Sequence, residues 1–133
     1  MLSPMTFRIP IEHRKAIEGI ARRERRDLSS VVNEMIAEAL KMRRVRGVLF
    51  ADEGNRREAK VAGTGLGVWE VIETYLSLGK EMDRFRSYYD WLSEFQLRAA
   101  LSYYEAYPQE IDEAIRENQV AFEELAGSRT SPA

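Results

Sequence analysis

The stretch MTFRIP, residues Met5–Pro10, decides how the start of this chain folds. Apolar and polar side chains alternate along it, and alternate side chains of an extended strand point to opposite faces. Thr6 and Arg8 would share the polar face, and proline ends the strand because it has no backbone N–H to donate. The opposite face would carry Met5, Phe7 and Ile9. The pattern therefore predicts a short strand with one apolar face.

Two helices are predicted directly after this strand. The first covers Ile11–Arg26, Asp27-Leu28 turns the chain, and Ser29 or Ser30 caps a second helix that runs to about Arg44. Each helix carries an apolar stripe at the spacing of one helical face. The stripes comprise Ala16, Ile17, Ile20 and Ala21 in the first helix, and Val31, Val32, Met35, Ile36, Ala39 and Leu40 in the second.

One strand and two short helices cannot bury these stripes within a single chain. A segment of this size usually needs oligomerisation to fold, and a lone strand leaves both its edges unpaired. Two chains that pair their strands and interlock their helices would meet both needs. The predicted core of such a homodimer consists of Met5, Phe7, Ile9, Ile17, Ile20, Val32, Met35, Ile36 and Leu40.

Residues Met5–Pro10 and Leu28–Val32 resemble the ribbon-helix-helix repressors of the CopG, Arc and MetJ type. The resemblance covers about a third of the chain and includes the strand, the proline and the serine-rich start of the second helix. It implies a β-α-α fold that exists as an intertwined dimer. It also implies that the two-stranded ribbon enters the major groove of double-stranded DNA.

The same resemblance implies which residues contact DNA. The outward strand residues Thr6 and Arg8 would read base edges, with Arg8 able to bind guanine through two hydrogen bonds. Ser29 and Ser30 correspond to the family's helix start, whose backbone N–H groups hold a phosphate. Pro4 stands where a third base-contacting residue is common in the family. The alternative for Arg8 is an exposed arginine without a ligand.

Charge and composition separate the beginning of the chain from the rest. Residues 1–46 hold eleven Lys/Arg and six Asp/Glu, whereas residues 47–133 hold nine Lys/Arg and sixteen Asp/Glu. A basic segment is typical of nucleic-acid binding, although solvated helix faces would look the same. The chain has no cysteine, no apolar run of membrane-span length and no secretory leader pattern. We expect a cytoplasmic protein without disulfides or thiolate metal sites.

A second unit is predicted to begin near Gly47. Gly63-x-Gly65-x-Gly67 is not a phosphate-loop motif and is better explained as a tight turn before a helix. Ser93 with Gln96 forms a capping-box pattern, and Pro108 stands at the favoured first position of the last helix. The predicted elements are a hairpin of 48–50 and 56–62 around a turn at 52–55, helices over 68–78, 81–88, 93–106 and 108–125, and a frayed end at 128–133.

Four stretches of this second unit look like a small VapB-type antitoxin family known only as a domain of unknown function: Val61–Ile72, Leu78-Gly79, Tyr89–Ser93 and Leu97–Tyr104. The match covers about residues 47–107, and Gly65-Leu66 replaces the family's usual Arg-Ile. Such domains are often encoded beside a PIN-like ribonuclease toxin. The resemblance therefore implies an antitoxin that represses its own operon and neutralises that toxin.

The helices over 81–88 and 93–106, joined by a short turn, have the layout of a helix-turn-helix. Gln96 and Arg98 would be its early exposed residues and could contact adenine, guanine or phosphate. Glu94 would repel phosphate, and the capping box competes for Gln96. The alternative is a solvated helix face in a protein-binding domain, which the acidic charge of this unit favours.

No pattern indicates an enzyme, a cofactor or a metal site. His13 is the single histidine and has no partner of catalytic type. Carboxylates near the start of the last helix favour the helix dipole, and they could also bind a basic partner protein. The candidate partner-binding residues are Glu110, Asp112, Glu113 and Glu117, with Glu123 and Glu124 further along the helix.

The sequence thus predicts a mainly α protein with small β elements, in three segments. Residues 1–46 form the ribbon-helix-helix module, 47–107 the helix-turn-helix domain, and 108–133 a C-terminal helix with a candidate partner-binding role. The predicted function is a transcriptional repressor that acts as the antitoxin of a PIN-like ribonuclease toxin, as a dimer or as a tetramer of two dimers. The alternative is a stand-alone regulator in which both modules contact DNA.

Overall fold

A computed structural model describes the backbone of residues 1–130 and the side chains of residues 1–127. This part of the chain is mainly helical, with six helices and one two-stranded antiparallel sheet, as the sequence predicts at this level. None of the described helices is both long and apolar enough to cross a membrane. The chain divides into two compact units, Met1–Lys41 and Met42–Ala133. The sequence had placed the boundary after Arg46.

Unit 1 contains two helices, α1 (Ile11–Glu24) and most of α2 (Leu28–Arg44). The predicted strand over Met5–Ile9 is not formed in the single chain, where residues 1–10 have no regular secondary structure. A strand needs a neighbour to satisfy its backbone N–H and C=O groups. The described part of this chain offers no neighbour to that segment.

The turn between α1 and α2 differs from the prediction in two details. Helix α1 ends at Glu24, because Arg25 adopts a left-handed conformation with φ 53° and its N–H reaches back to the carbonyl oxygen of Arg22. The cap of α2 is Asp27, whose Oδ1 accepts the Ser30 N–H at 2.7 Å. Ser29 and Ser30 therefore lie inside the first turn of α2, and the prediction that either caps it is wrong.

Unit 1 buries little of its apolar surface. Only Ala21 and Val31 are buried among its described residues. Of the predicted dimer core, Ile17, Ile20 and Val32 are half-buried, and the remaining six members are exposed: Met5, Phe7, Ile9, Met35, Ile36 and Leu40. Leu40 is 62% exposed on a helix that otherwise carries many charged residues. The single chain thus leaves an apolar helix face without cover.

Unit 2 begins with the hairpin of β1 (Val48–Glu53) and β2 (Arg56–Val61). The strands pair from Val48 opposite Val61 to Glu53 opposite Arg56, so the connecting turn has only two residues, Gly54-Asn55. The sequence had assigned Asp52 and Glu53 to the turn. They extend β1 instead, because cross-strand pairing continues to the tightest hairpin connection.

Four helices follow the hairpin: α3 (Val68–Ser77), α4 (Met82–Tyr88), α5 (Glu94–Ala106) and α6 (Pro108–Thr130). Helix α3 packs against α5 and α6, and its apolar residues join those of the hairpin in one continuous core. Helix α6 extends five residues beyond the predicted end at Leu125. The predicted frayed end therefore fails for 128–130, and residues 131–133 lie outside the described residues.

The entry to unit 2 depends on Gly47. This residue has φ +87°, and a Cβ atom there would lie 2.8 Å from Cε1 of Phe95 and 2.9 Å from Cβ of Ala99. A side chain is therefore excluded both by the backbone conformation and by the close approach of α5. Just before it, Val45 is buried in the core of unit 2, and the guanidinium of Arg44 lies 5.4 Å from the ring centre of Tyr107.

Candidate functional site

The two residues predicted to read DNA bases lie in the segment that precedes α1. Thr6 and Arg8 are both exposed, and so are their apolar neighbours Phe7 and Ile9. A two-stranded ribbon would separate these side chains, with the apolar residues on the covered face and Thr6 and Arg8 on the outer face. Ser29 and Ser30, the other predicted DNA-contacting residues of unit 1, lie in the first turn of α2.

The start of α2 is already occupied by a carboxylate. Asp27 accepts the Ser30 N–H, and this hydrogen bond holds the pKa of Asp27 below its usual range. Ser30 also presents its carbonyl oxygen to the Arg26 guanidinium at 3.1 Å. A phosphate that binds the Ser30 N–H would have to displace the Asp27 carboxylate. The phosphate contact of Ser29 and Ser30 stays a prediction.

Arginines surround the turn between α1 and α2. Arg26 makes ion pairs at 2.9 Å with both Glu24 and Glu34, which hold this turn against α2. These hydrogen bonds, that with Glu34 foremost, raise the pKa of Arg26. Three further arginines near the turn are exposed: Arg22, Arg23 and Arg25. The turn therefore concentrates positive charge that the sequence alone does not place at one position.

Gln96, predicted as a DNA contact, has an internal role instead. Its Oε1 accepts the Ser93 N–H at 2.9 Å while Ser93 Oγ accepts the Gln96 N–H, which completes the predicted capping box. Its Nε2 donates to the carbonyl oxygen of Ala62 at 3.2 Å. Both ends of the amide thus hold α5 in place. A base contact by Gln96 would have to compete with these two hydrogen bonds, and it stays a prediction.

Arg98 lies on the exposed face of α5, close to a carboxylate. Its Nε is 3.4 Å from Glu94, and Glu94 also forms a two-point ion pair with Arg86 of α4. The Arg86 guanidinium is the main reason that the pKa of Glu94 is lowered. This face therefore pairs its charges internally and presents little net positive charge to a phosphate backbone, which disfavours DNA contact by α5.

Two of the predicted partner-binding carboxylates are bonded to tyrosines of α5. Tyr103 donates its hydroxyl to Glu110 at 2.6 Å, and Tyr104 donates to Asp112 at 2.7 Å. The bond to Asp112 raises the pKa of Tyr104. These hydrogen bonds join α5 to the first turns of α6, so Glu110 and Asp112 contribute to the fold. Their binding of a partner stays a prediction.

The other two predicted carboxylates differ from each other. Glu117 accepts a hydrogen bond from Arg56 at 2.6 Å, which ties α6 to the hairpin. Glu113 is exposed on α6. The four carboxylates therefore differ: three are hydrogen-bonded to Tyr103, Tyr104 or Arg56, and Glu113 is exposed on α6.

A polar cluster on β2 was missed in the sequence. The Lys60 Nζ lies 2.6 Å from Oε2 of Glu53 and 3.0 Å from Oε2 of Glu58, and the Lys60 side chain is only 11% exposed. Trp69 of α3 donates its indole N–H to Glu58 at 2.8 Å. These bonds, that to Glu53 foremost, raise the pKa of Lys60. The cluster fixes the start of α3 on the hairpin, so Lys60 is a structural residue.

Comparison with protein-family models, with curated proteins and with solved structures finds no match to this chain. The described residues also contain no group of three or more His, Cys, Asp or Glu arranged to hold a metal ion. On unit 1 the described residues present an apolar face that the single chain leaves exposed, and Thr6 and Arg8 are exposed in the segment before α1.

Proposed function

We propose that this chain is a DNA-binding transcriptional repressor whose first 46 residues form a ribbon-helix-helix dimer. The observation that carries the proposal is the uncovered apolar face of unit 1. Phe7 and Ile9 are exposed beside α1, and Met35, Ile36 and Leu40 are exposed on α2. Exposed apolar surface of this extent marks an interaction site, and a second copy that supplies a strand and two helices would cover it.

The dimer gives the outward strand residues their role. Pairing of two copies of Met5–Ile9 produces a two-stranded ribbon narrow enough for the major groove of double-stranded DNA. Thr6 and Arg8 of both copies then face the base edges, and Arg8 can bind guanine O6 and N7. The exposed arginines at the α1–α2 turn add phosphate attraction that does not depend on sequence.

Unit 2 supports a protein-binding role better than a second DNA contact. Its surface is acidic, and Gln96 is committed to the capping box and to Ala62. We include in the proposal that unit 2, with α4 and α5 arranged as a helix-turn-helix, serves an antitoxin that neutralises a PIN-like ribonuclease toxin. Support for the toxin comes from the resemblance of residues 47–107 to VapB-type antitoxins and from the acidic charge.

The DNA-binding proposal is tested by a gel shift of the full chain on the DNA upstream of its own gene, over a range of salt concentrations. Arg8→Ala should weaken selective binding by about 1–3 kcal/mol, because a two-point guanine contact is lost. Arg22→Ala removes the same charge from α1 and serves as the matched control; it should weaken binding less and equally on all sequences. Unchanged selectivity in Arg8→Ala, or no selective binding by the native chain, contradicts the proposal.

The toxin is tested separately by co-purification of the full chain with the product of the adjacent gene. A nuclease whose ribonuclease activity falls when the chain binds it supports the antitoxin role. If no PIN-like reading frame lies beside the gene, or if the nuclease stays fully active, the toxin part of the proposal is wrong. The repressor part is decided separately by the gel shift.

A further inference from the structure

A groove runs between α3 and the C-terminal half of α6 in unit 2. Its volume is about 920 Å³, which is in the range of ligand-binding clefts. The apolar part of its lining consists of Trp69, Ala121, Phe122 and Leu125. Two carboxylates, Glu73 and Glu123, also line it, and the four remaining lining residues are uncharged polar residues. Both walls of the groove are helical.

Phe122 and Leu125 continue the apolar stripe of α6 beyond the core on which it packs. Ile111 and Ile115 of the same stripe are buried in the core of unit 2. Phe122 and Leu125 follow at helical spacing, yet they are 73% and 61% exposed. Hydration of an exposed phenylalanine side chain is unfavourable in free energy, and a partner bound in the groove would remove that side chain from water.

Charge decides what kind of partner fits. Among the ten described residues that line the groove, two are acidic and none is basic. Neither Glu73 nor Glu123 makes an ion pair with a described residue. Lysine or arginine side chains of a partner would be attracted to this rim, whereas a second copy of α6 would bring Glu123 and Glu124 against carboxylates of the same sign.

We infer that this groove binds an amphipathic helical segment of a partner protein. The apolar side chains of that helix would contact Phe122 and Leu125. Its lysines or arginines would lie beside Glu73 and Glu123. A helix laid in an apolar groove is a common mode of peptide recognition. The inference deepens the proposed protein-binding role of unit 2 and rests on it. It moves the contact away from Glu110, Asp112 and Glu117, which the fold uses.

The test uses the full chain and a labelled helical peptide of leucine and lysine, about 14 residues long, with the leucines on one face. A peptide with glutamate in place of each lysine is the charge control. Fluorescence anisotropy should show binding of the lysine peptide and at least about ten-fold weaker binding of the glutamate peptide. Equal binding of both peptides, or binding of neither, overturns the inference.

Variants of α6 locate the binding. The double change Phe122→Ala and Leu125→Ala should weaken the lysine peptide at least about ten-fold, while Val120→Ala, an exposed apolar residue outside the groove lining, should not. Equal losses in both variants overturn the inference. If the native chain self-associates through this face, the double change lowers the mass measured by sedimentation, and that result also overturns it in favour of a second copy.

Charge variants test whether the carboxylates of the groove attract the peptide, and tryptophan fluorescence tests whether the peptide lies in the groove. Glu73→Gln with Glu123→Gln should weaken the lysine peptide several-fold, whereas Glu124→Gln, a neighbour outside the groove lining, should leave it unchanged. The chain has two tryptophans, so Trp91→Phe leaves Trp69 in the groove as the single reporter. A shift of Trp69 emission on peptide binding supports the site, and no shift despite binding overturns it.

These outcomes are independent of DNA binding. A chain that binds its upstream DNA but not the lysine peptide keeps the repressor role and loses the groove. A chain that binds the peptide at the groove but not DNA keeps the groove and loses the repressor role.

Discussion

The two units of this chain bury their apolar residues in opposite ways. Unit 2 holds one continuous core in which Val61, Val68, Ile72, Phe85 and Tyr103 are fully or almost fully buried. Unit 1 has only Ala21 and Val31 buried among its described residues. Burial of apolar surface is the main favourable term in folding. We therefore expect unit 2 to be stable by itself and unit 1 to be stable only when a second copy covers it.

The largest effect should come from a charge placed in the uncovered face of unit 1. Ile36→Glu would bury an unpaired carboxylate in the proposed dimer, which costs about 3–5 kcal/mol and raises the dimer dissociation constant by roughly two to three orders of magnitude or more. Sedimentation equilibrium measures the dimer, and the thermal midpoint of unit 2 should not change.

Asn33→Glu is the matched control, because Asn33 is exposed on α2 but lies off the apolar stripe. It adds the same charge to the same helix and should leave the dimer intact. A native chain that is a monomer at all concentrations, or equal effects of both variants, would show that the exposed face of unit 1 is not a dimer interface.

A substitution that creates a cavity in the core of unit 2 should lower the stability of that unit without affecting the dimer. Ile72 is fully buried, so Ile72→Ala should lower the free energy of unfolding of unit 2 by about 2–5 kcal/mol. The loss should be the same at every protein concentration, because this core lies within one chain. A loss that changes with concentration, or that dissociates the dimer, would remove the distinction between the two units. Denaturant unfolding followed by tryptophan fluorescence makes the measurement, since both tryptophans belong to unit 2.

The smallest effect should be the pH dependence of the α2 cap. Because the pKa of Asp27 is lowered in the folded chain, its carboxylate stabilises the fold above the ordinary carboxyl pKa. That contribution disappears as the pH falls through the lowered pKa, below about pH 4. Asp27→Asn keeps a capping oxygen that does not titrate.

Helix content measured by circular dichroism from pH 6 to pH 2 should therefore fall less in Asp27→Asn than in the native chain. Other carboxylates, such as Glu94, titrate in both proteins and cancel in the comparison. Identical curves for the two proteins would show that Asp27 contributes nothing to unit 1.

Local patterns predicted the helices of the chain and its hairpin, but not the state of residues Met5–Ile9, which form no strand in the single chain. The capping box of Ser93 and Gln96 and the start of α6 at Pro108 are as predicted, because each depends on residues within one helical turn. The sequence did not identify Asp27 as the cap of α2, because Asp27, Ser29 and Ser30 can all cap a helix and lie within four positions. The end of α6 was placed too early because Gly127 is a local stop signal, and the helix continues through it to Thr130.

Contacts between distant residues could not be predicted from one sequence. The bond from Gln96 to Ala62 joins residues 34 positions apart, and only the packed fold brings them together. The ion pair of Arg56 with Glu117 and the groove between α3 and α6 depend on the same packing. The dimer core was predicted from the apolar stripes of unit 1, and it stays a prediction because its test lies between two chains.

The buried position of Val45 has a practical consequence for cutting this protein into pieces. A fragment that stops at Arg46 carries Val45 and Arg44 without the core and the Tyr107 ring that receive them. A fragment that starts at Gly47 loses one wall of its own interior. The division between Lys41 and Met42 is no better place to cut, because it lies inside α2 (Leu28–Arg44) and a cut there would sever that helix. Each unit is therefore best studied by substitutions in the full chain.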